Sequence, residues 1–261
     1  MNLTTLLPKG VSRITVSPQE LFKKQISLLK YWNKSGTSIA LHSGDAKSKN
    51  KTHSLAKMLG GNFSSIEEVE GKVLFTFINE LHSAKTVNKR LLVAVDFIKK
   101  CFAGVDKVLV SGTKKGNFAK PTASTKKTLI PILSCANSYL SEPTSKSLRD
   151  FFILIRDHPD TIFYRRDLFN RFLNILKIQI DAEAHTLLES AEMYQVDFRH
   201  LGRPIRHSKL IGTTLLVKGL EYDHAVILDG DSLDLKGLYV AMTRGSKSLT
   251  IISNQGLLPK V

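Results

Sequence analysis

The chain has 261 residues, with 38 Lys and Arg against 23 Asp and Glu, a formal net charge of +15 and a pI near 9.8. That length suffices for one domain with an insertion, or for two modest ones, with a sizeable core. No apolar run is long enough to cross a bilayer and no secretory leader is visible; Cys101 and Cys135 are too few for a disulfide framework and share no zinc-type spacing. The composition therefore argues against a membrane protein, a disulfide scaffold and a zinc module, and points to a reducing cytoplasm.

In chain order, Ser17-Pro18-Gln19-Glu20 has the form of a capping box with Pro at the first helical position. Leu21, Phe22, Ile26, Leu28, Leu29 and Trp32 give the following helix a broad apolar face, and Gly36 ends it. Ser38–His42 is predicted as a strand and Thr52–Leu59 as a short helix stopped by Gly60 and Gly61. The stretch between them, Gly44 to Thr52, ends in Lys-Thr, yet Asn50 stands where a phosphate-binding loop needs its second glycine, and Gly44 is one residue too distant. It reads as a solvated basic loop carrying Lys47, Lys49 and Lys51 that can touch a phosphate backbone.

A Ser65-x-x-Glu68 capping box and the run Val73–Ile78 predict a helix leading into a different, largely helical stretch. Val87–Phe102, Thr144–Arg156, Arg165–Leu176 and Asp181–Met193 each show helical apolar spacing, broken by Pro121, Pro131, Pro143, Pro159 and Pro204. The expected organisation is a discontinuous α/β domain over 1–85 and 206–261, with a helical, basic insertion over 86–205. Residues 84–128 hold eleven Lys or Arg against two Asp, a local net charge of +9. Within them the Ser111–Pro121 loop carries Lys114, Lys115, Lys120 and Phe118, and it suits a phosphate backbone followed through counterion release; Phe118 either stacks on a base or anchors the loop.

Thr213–Val217 is β-branched and apolar, and His224–Asp229 is a short apolar run bounded by polar residues; both are expected as buried strands of a parallel sheet. Lys218-Gly219-Leu220-Glu221 is then expected at a strand end, where ligands bind in open α/β sheets. Gly219 would let the backbone approach a ligand or take a positive φ, and Glu221 would supply an acceptor. Asp231 or Ser232 can cap a helix whose Leu235, Leu238, Tyr239 and Met242 would pack on the sheet. Arg244 closes that helix before Gly245, and Ser248–Ser253 supplies a further strand. His42, His53 and His224 are expected to be structural or surface groups, and no metal site is expected.

The run Gly212–Leu228, followed by Leu238-Tyr-Val-Ala-Met-Thr-Arg244, resembles the last two motifs of superfamily-1 DNA helicases of the UvrD/Rep type. There the first motif is close to T-x-H-x-x-K-G-L-E-aromatic and the second is L-Y-V-A-x-T-R. The resemblance implies a RecA-like parallel-sheet domain, a P-loop NTPase fold without its own P-loop, with a mainly helical insertion as accessory subdomain. It implies nucleotide contacts from Gly219, Glu221 and Arg244, and a catalytic arginine-finger role for Arg244 toward a transferring phosphoryl group. It implies DNA contacts from Thr213, Thr214 and Lys218, to which the basic loop adds Lys114, Lys115 and Lys120. Leu215 stands where the family has His, which puts one backbone contact in doubt.

Walker A, Walker B and Asn-Tyr-Arg-Ser elements are missing from the sequence. The implied cofactor is ATP with Mg²⁺, whose ligands belong on the other RecA-like half. The implied partners are single-stranded or partly duplex DNA and a protein carrying that amino-terminal RecA-like domain, without a membrane. A reading of another class is a non-enzymatic nucleic-acid-binding or regulatory module, or a truncated remnant, that keeps the fold without the motor.

Overall fold

The computed structural model describes residues 7–44, 46–109, 120–123, 125–182, 185–201 and 207–254. The elements in chain order begin with β1 (Val11–Thr15), α1 (Leu21–Lys30), β2 (Ser38–His42), α2 (Ala46–Met58) and β3 (Ser64–Ser65). A helical run follows: α3 (Lys72–Ser83), α4 (Val87–Cys101), β4 (Phe102–Ala103), α5 (Val105–Val108), α6 (Ile130–Ser141), α7 (Ser145–Arg156), β5 (Ile162–Phe163), α8 (Arg166–Asp181) and α9 (Leu187–Leu201). The chain ends with β6 (Lys209–Thr213), a 3₁₀ turn (Thr214–Val217), β7 (Tyr222–Ile227), a second 3₁₀ turn (Gly230–Ser232), α10 (Leu235–Met242) and β8 (Gly245–Ser253). Two compact units result: residues 1–66 with 206–261, and residues 67–205. The first crossing between them falls after residue 66, earlier than the 85/86 boundary expected from sequence, because α3 belongs with the helices that follow it.

Unit 1 is α/β, with a six-stranded sheet ordered β1-β8-β7-β2-β6-β3. Its five strand pairings are all parallel. Parallel strands are covered on both faces, so they read as continuous apolar runs. Every residue of the central strand β2 is buried, and Ile39, Leu41, Ile211, Val226, Ile227 and Ile252 are buried on the two faces of the sheet. Two buried polar side chains near these strands are bonded: Gln25 donates to the Leu228 carbonyl at 2.7 Å and Trp32 Nε1 to Ser38 Oγ at 2.9 Å. This α/β architecture with its parallel sheet is compatible with a RecA-like or Rossmann-type fold.

Several local expectations need correction. Ser17–Glu20 forms a turn in which the Ser17 hydroxyl bonds the Glu20 carboxylate at 2.9 Å, so α1 starts at Leu21 without a side-chain cap, and Phe22 is exposed. Lys47, Lys49 and Lys51 belong to α2, which begins at Ala46, rather than to a loop. Ser65 lies in β3, so its capping box is not used, and α3 begins after Gly71, whose φ is +64°. The Thr213–Val217 segment is a strand only to Thr213 before it turns into the 3₁₀ helix. The cap of α10 is Asp234, which accepts from Gly237 N at 2.7 Å, while Asp231 accepts from Asn254 N. Leu238 and Ala241, three residues apart, face the interior, whereas Leu235, Tyr239 and Met242 share the opposite, exposed side. The sequence reading placed all four large side chains on one face; the eight-residue helix buries only the first of these two sets.

Among the described residues, the regular structure of unit 2 is helical apart from the small antiparallel pair β4–β5. An aromatic cluster forms its centre: Phe77 stacks on Phe97 at 3.9 Å, and both meet Phe172 edge-on. Arg165 and Glu67 form a buried pair with two bonds of 2.7 Å. Cys101 is fully buried beside them, and burial pushes its thiol pKa far above the ordinary value. Among the described residues, no helix is long and apolar enough to cross a membrane.

Candidate functional site

β2 connects through α2 to β3 on the β6 side of the sheet, while β7 connects through α10 to β8 on the other side. The connections leaving the carboxyl ends of the neighbouring strands β2 and β7 therefore diverge, which is the topological switch point where open α/β sheets bind ligands. A cleft of about 460 Å³ lies there. Ser43 and Gly44 after β2, Thr214 and Lys218 after β6, and Asp234 and Lys236 at the start of α10 line it.

The cleft owes its shape to short residues. A Cβ on Gly237 would stand 2.8 Å from the capping oxygen of Asp234, so any larger residue would disturb the helix start. A Cβ on Gly44 would meet the Thr214 hydroxyl at 3.6 Å. Lys218 and Lys236 are exposed, whereas the Asp234 carboxylate is engaged by its own helix. The cleft thus offers two ammonium groups, hydroxyls and a helix start, a set suited to an anionic backbone. Behind it, Thr213 is fully buried and its hydroxyl has no partner among the described residues. Of the two adjacent threonines, Thr214 is the one that reaches the cleft. Leu215 is exposed on the same turn and lines the cleft.

Deeper along β7, burial raises the Asp229 pKa; the nearby Asp231 charge adds to the rise, and Lys51 and the Ser232 hydrogen bonds oppose it. The opposite trend holds at Asp223, whose pKa is lowered to about 2 by hydrogen bonds from Lys247 and from the Thr37 backbone and hydroxyl.

Gly219, Glu221 and Arg244 lie at the other edge of the sheet, at the amino ends of β7 and β8. Tyr222 N bonds the Arg244 carbonyl at 2.9 Å, and Tyr222 pairs with Gly245. Gly219–Glu221 therefore leads into β7 rather than lying beyond a strand's carboxyl end, as sequence reasoning had it, while Lys218 alone of that run lines the carboxyl-end cleft. The reason is connectivity: a chain leaving β6 must return to the amino edge before it can run parallel again. Gly219 adopts φ +78°, and a Cβ there would meet nothing within 4 Å. Glu221 is exposed.

Arg244 is half-buried and its guanidinium is engaged within its own unit. Nε donates to the Val240 carbonyl at 2.9 Å, Nη1 to the Leu220 and Val217 carbonyls at 2.7 and 3.3 Å, and Nη2 to Thr243 Oγ1 at 2.9 Å. It closes the end of α10 and ties that end to the turn before β7.

Lys120 is exposed and belongs to unit 2, while Lys114, Lys115 and Phe118 lie outside the described residues. His224 bonds Ser248 Oγ and the Ser35 carbonyl, and His53 bonds Ser65 Oγ. Among the described residues, no group of three or more His, Cys, Asp or Glu could hold a metal ion. Sequence reasoning missed Ser43, Asp234 and Lys236, whose shared cleft with Gly44 becomes visible only once the strand order is known. No family model matches the chain, and no curated protein matches it.

Proposed function

We propose that this chain is the carboxy-terminal RecA-like half of an ATP-dependent DNA helicase similar to the UvrD/Rep type, with unit 2 as its helical insertion. The observation that carries the reading is the physical junction of the two motif-like segments: Arg244 of the second bonds the Val217 and Leu220 carbonyls of the first. Residues that the resemblance assigns to one nucleotide site thus share one sheet edge.

In this reading, Lys218, Lys236 and the Thr214 hydroxyl grip a single-stranded DNA backbone in the carboxyl-edge cleft. The basic segment with Lys114, Lys115 and Lys120 adds non-specific affinity. The open Gly219 and exposed Glu221 fit a ribose contact. Arg244 fits a phosphate contact only after it exchanges its carbonyl partners for the anion, so closure by the other half must release it. ATP supplies the free energy, and the Mg²⁺ ligands, phosphate loop and water-orienting group come from that other half.

The engaged state of Arg244 also favours a second reading, a nucleic-acid-binding or regulatory module without a motor, in which this arginine is purely structural. ATP-dependent turnover separates the two. With a supplied amino-terminal RecA-like half, Arg244→Ala abolishes turnover in the first reading while single-stranded DNA binding stays nearly intact. If no supplied half gives DNA-stimulated turnover, or if turnover survives the substitution, the motor reading is wrong.

A further inference from the structure

Within unit 2, the ends of α3, α4, α6, α7, α8 and α9 meet around a cavity of about 300 Å³. Its charged lining group is Arg90, accompanied by His82, and no carboxylate lines it. Arg90 uses Nε on the Ala84 carbonyl at 3.2 Å, and its two terminal nitrogens bond no acceptor among the described residues. Tyr139, in the same lining, is only 4% exposed, and its hydroxyl makes no hydrogen bond among the described residues. The ring is buried while the hydroxyl opens on the cavity, where it can bond a ligand. Burial raises its pKa and the Arg90 charge opposes that rise, so the group is a protonated donor at neutral pH.

One further feature favours negative charge. The first turns of α7 and α9 reach the cavity at Thr144, Ser145, Thr186 and Leu187; the Glu189 carboxylate, accepting from Thr186 N at 2.7 Å, already meets the α9 start, so the positive end of the α7 dipole is the one left for a ligand. Their caps, Thr144 and Thr186, are occupied with Ser147 N and Glu189 N. Leu81, Leu148 and Leu176 supply the apolar part of the lining. The volume stands at the lower end of the range of about 300–1,000 Å³ typical of small-molecule sites, which is too small for an oligonucleotide.

We propose that this cavity binds a small organic anion, its phosphate or carboxylate held by the Arg90 fork and the Tyr139 hydroxyl and its apolar body laid on Leu81, Leu148 and Leu176. A planar guanidinium suits either anion bidentately. Unit 2 would then be a ligand-responsive element rather than only a basic surface.

The test is a ¹H–¹⁵N NMR titration of the full chain with phenyl phosphate and, separately, benzoate, with benzyl alcohol as the neutral control. We expect saturable shifts centred on Arg90, Tyr139 and the first turns of α7 and α9 for at least one anion, and much weaker ones for the alcohol. Because Arg90 also holds the Ala84 carbonyl, Arg90→Gln is paired with Tyr139→Phe, which removes one oxygen. Each should weaken binding by about tenfold, the loss of one charge-assisted bond, while Lys57→Gln, in unit 1, should not. Saturation by phosphate but not benzoate identifies the anion as a phosphate, and the reverse as a carboxylate. Shifts that do not saturate, that spread over the basic surface, or that persist unchanged in the folded Tyr139→Phe variant would overturn the proposal.

Discussion

Replacing Arg244 by Ala should cost stability even where no nucleotide is present. The side chain makes three hydrogen bonds of 2.7 to 2.9 Å and one of 3.3 Å, and three of the four accept on main-chain carbonyls of two different elements. A bond from a charged donor contributes about 1.5–3 kcal/mol. Water can replace the donors at the more accessible carbonyls of this half-buried site, so we count little more than one full bond and expect a loss of about 2–3 kcal/mol. Lys keeps the charge near the end of α10 but lacks the fork, so Arg244→Lys should recover less than half of that loss. The single tryptophan, Trp32, is buried in unit 1, and its fluorescence during urea unfolding reports on the unit that holds Arg244. A change below about 0.5 kcal/mol, the usual scatter of surface substitutions, would refute the tethered arrangement.

Three further outcomes follow from single sites. Gly219→Ala places a side chain at a positive φ in open space, so it should cost about 1–2 kcal/mol by backbone strain alone, read in the same urea assay. Asp223 has a folded pKa lowered to about 2, so its contribution is present above the unfolded carboxylate pKa and lost as pH falls through the folded value. The stability gap between the parent and Asp223→Asn should therefore be full near neutrality and close on acidification; a gap that widens would contradict the Lys247 and Thr37 contacts. In unit 2, Glu67→Ala leaves Arg165 buried without its partner, at a cost of about 3–5 kcal/mol. Cys101, inert to thiol reagents while buried, should then label faster, and an unchanged rate would count against the pair's role.

The sequence carried most of the element order. Val87 to Cys101 and Thr144 to Arg156 were legible because a 3.6-residue apolar period survives in each. Ser38–His42 and Gly245–Ser253 were legible, the latter in its inner half, because buried parallel strands are unbroken apolar runs. The edge strands were not: β1 has mixed burial and β3 is two residues long, so neither leaves a pattern. Turn chemistry misled the reading at Asp231, which has the right side chain for a cap but is held by Asn254 instead. The two motif-like segments located Gly219, Glu221 and Arg244, yet nothing in one dimension says that Arg244 faces its own carbonyls or that Thr213 is sealed behind Thr214.

The most direct test of half a motor is to measure single-stranded DNA binding and DNA-stimulated ATP hydrolysis on the purified chain alone. We expect salt-sensitive binding that weakens when Lys218 and Lys236 are replaced by Ala, with ATP turnover at background. Turnover well above background that disappears in Arg244→Ala would contradict the account, because it would require a complete phosphate site in this chain, and the Gly44–Thr52 segment would be the first place to look for it.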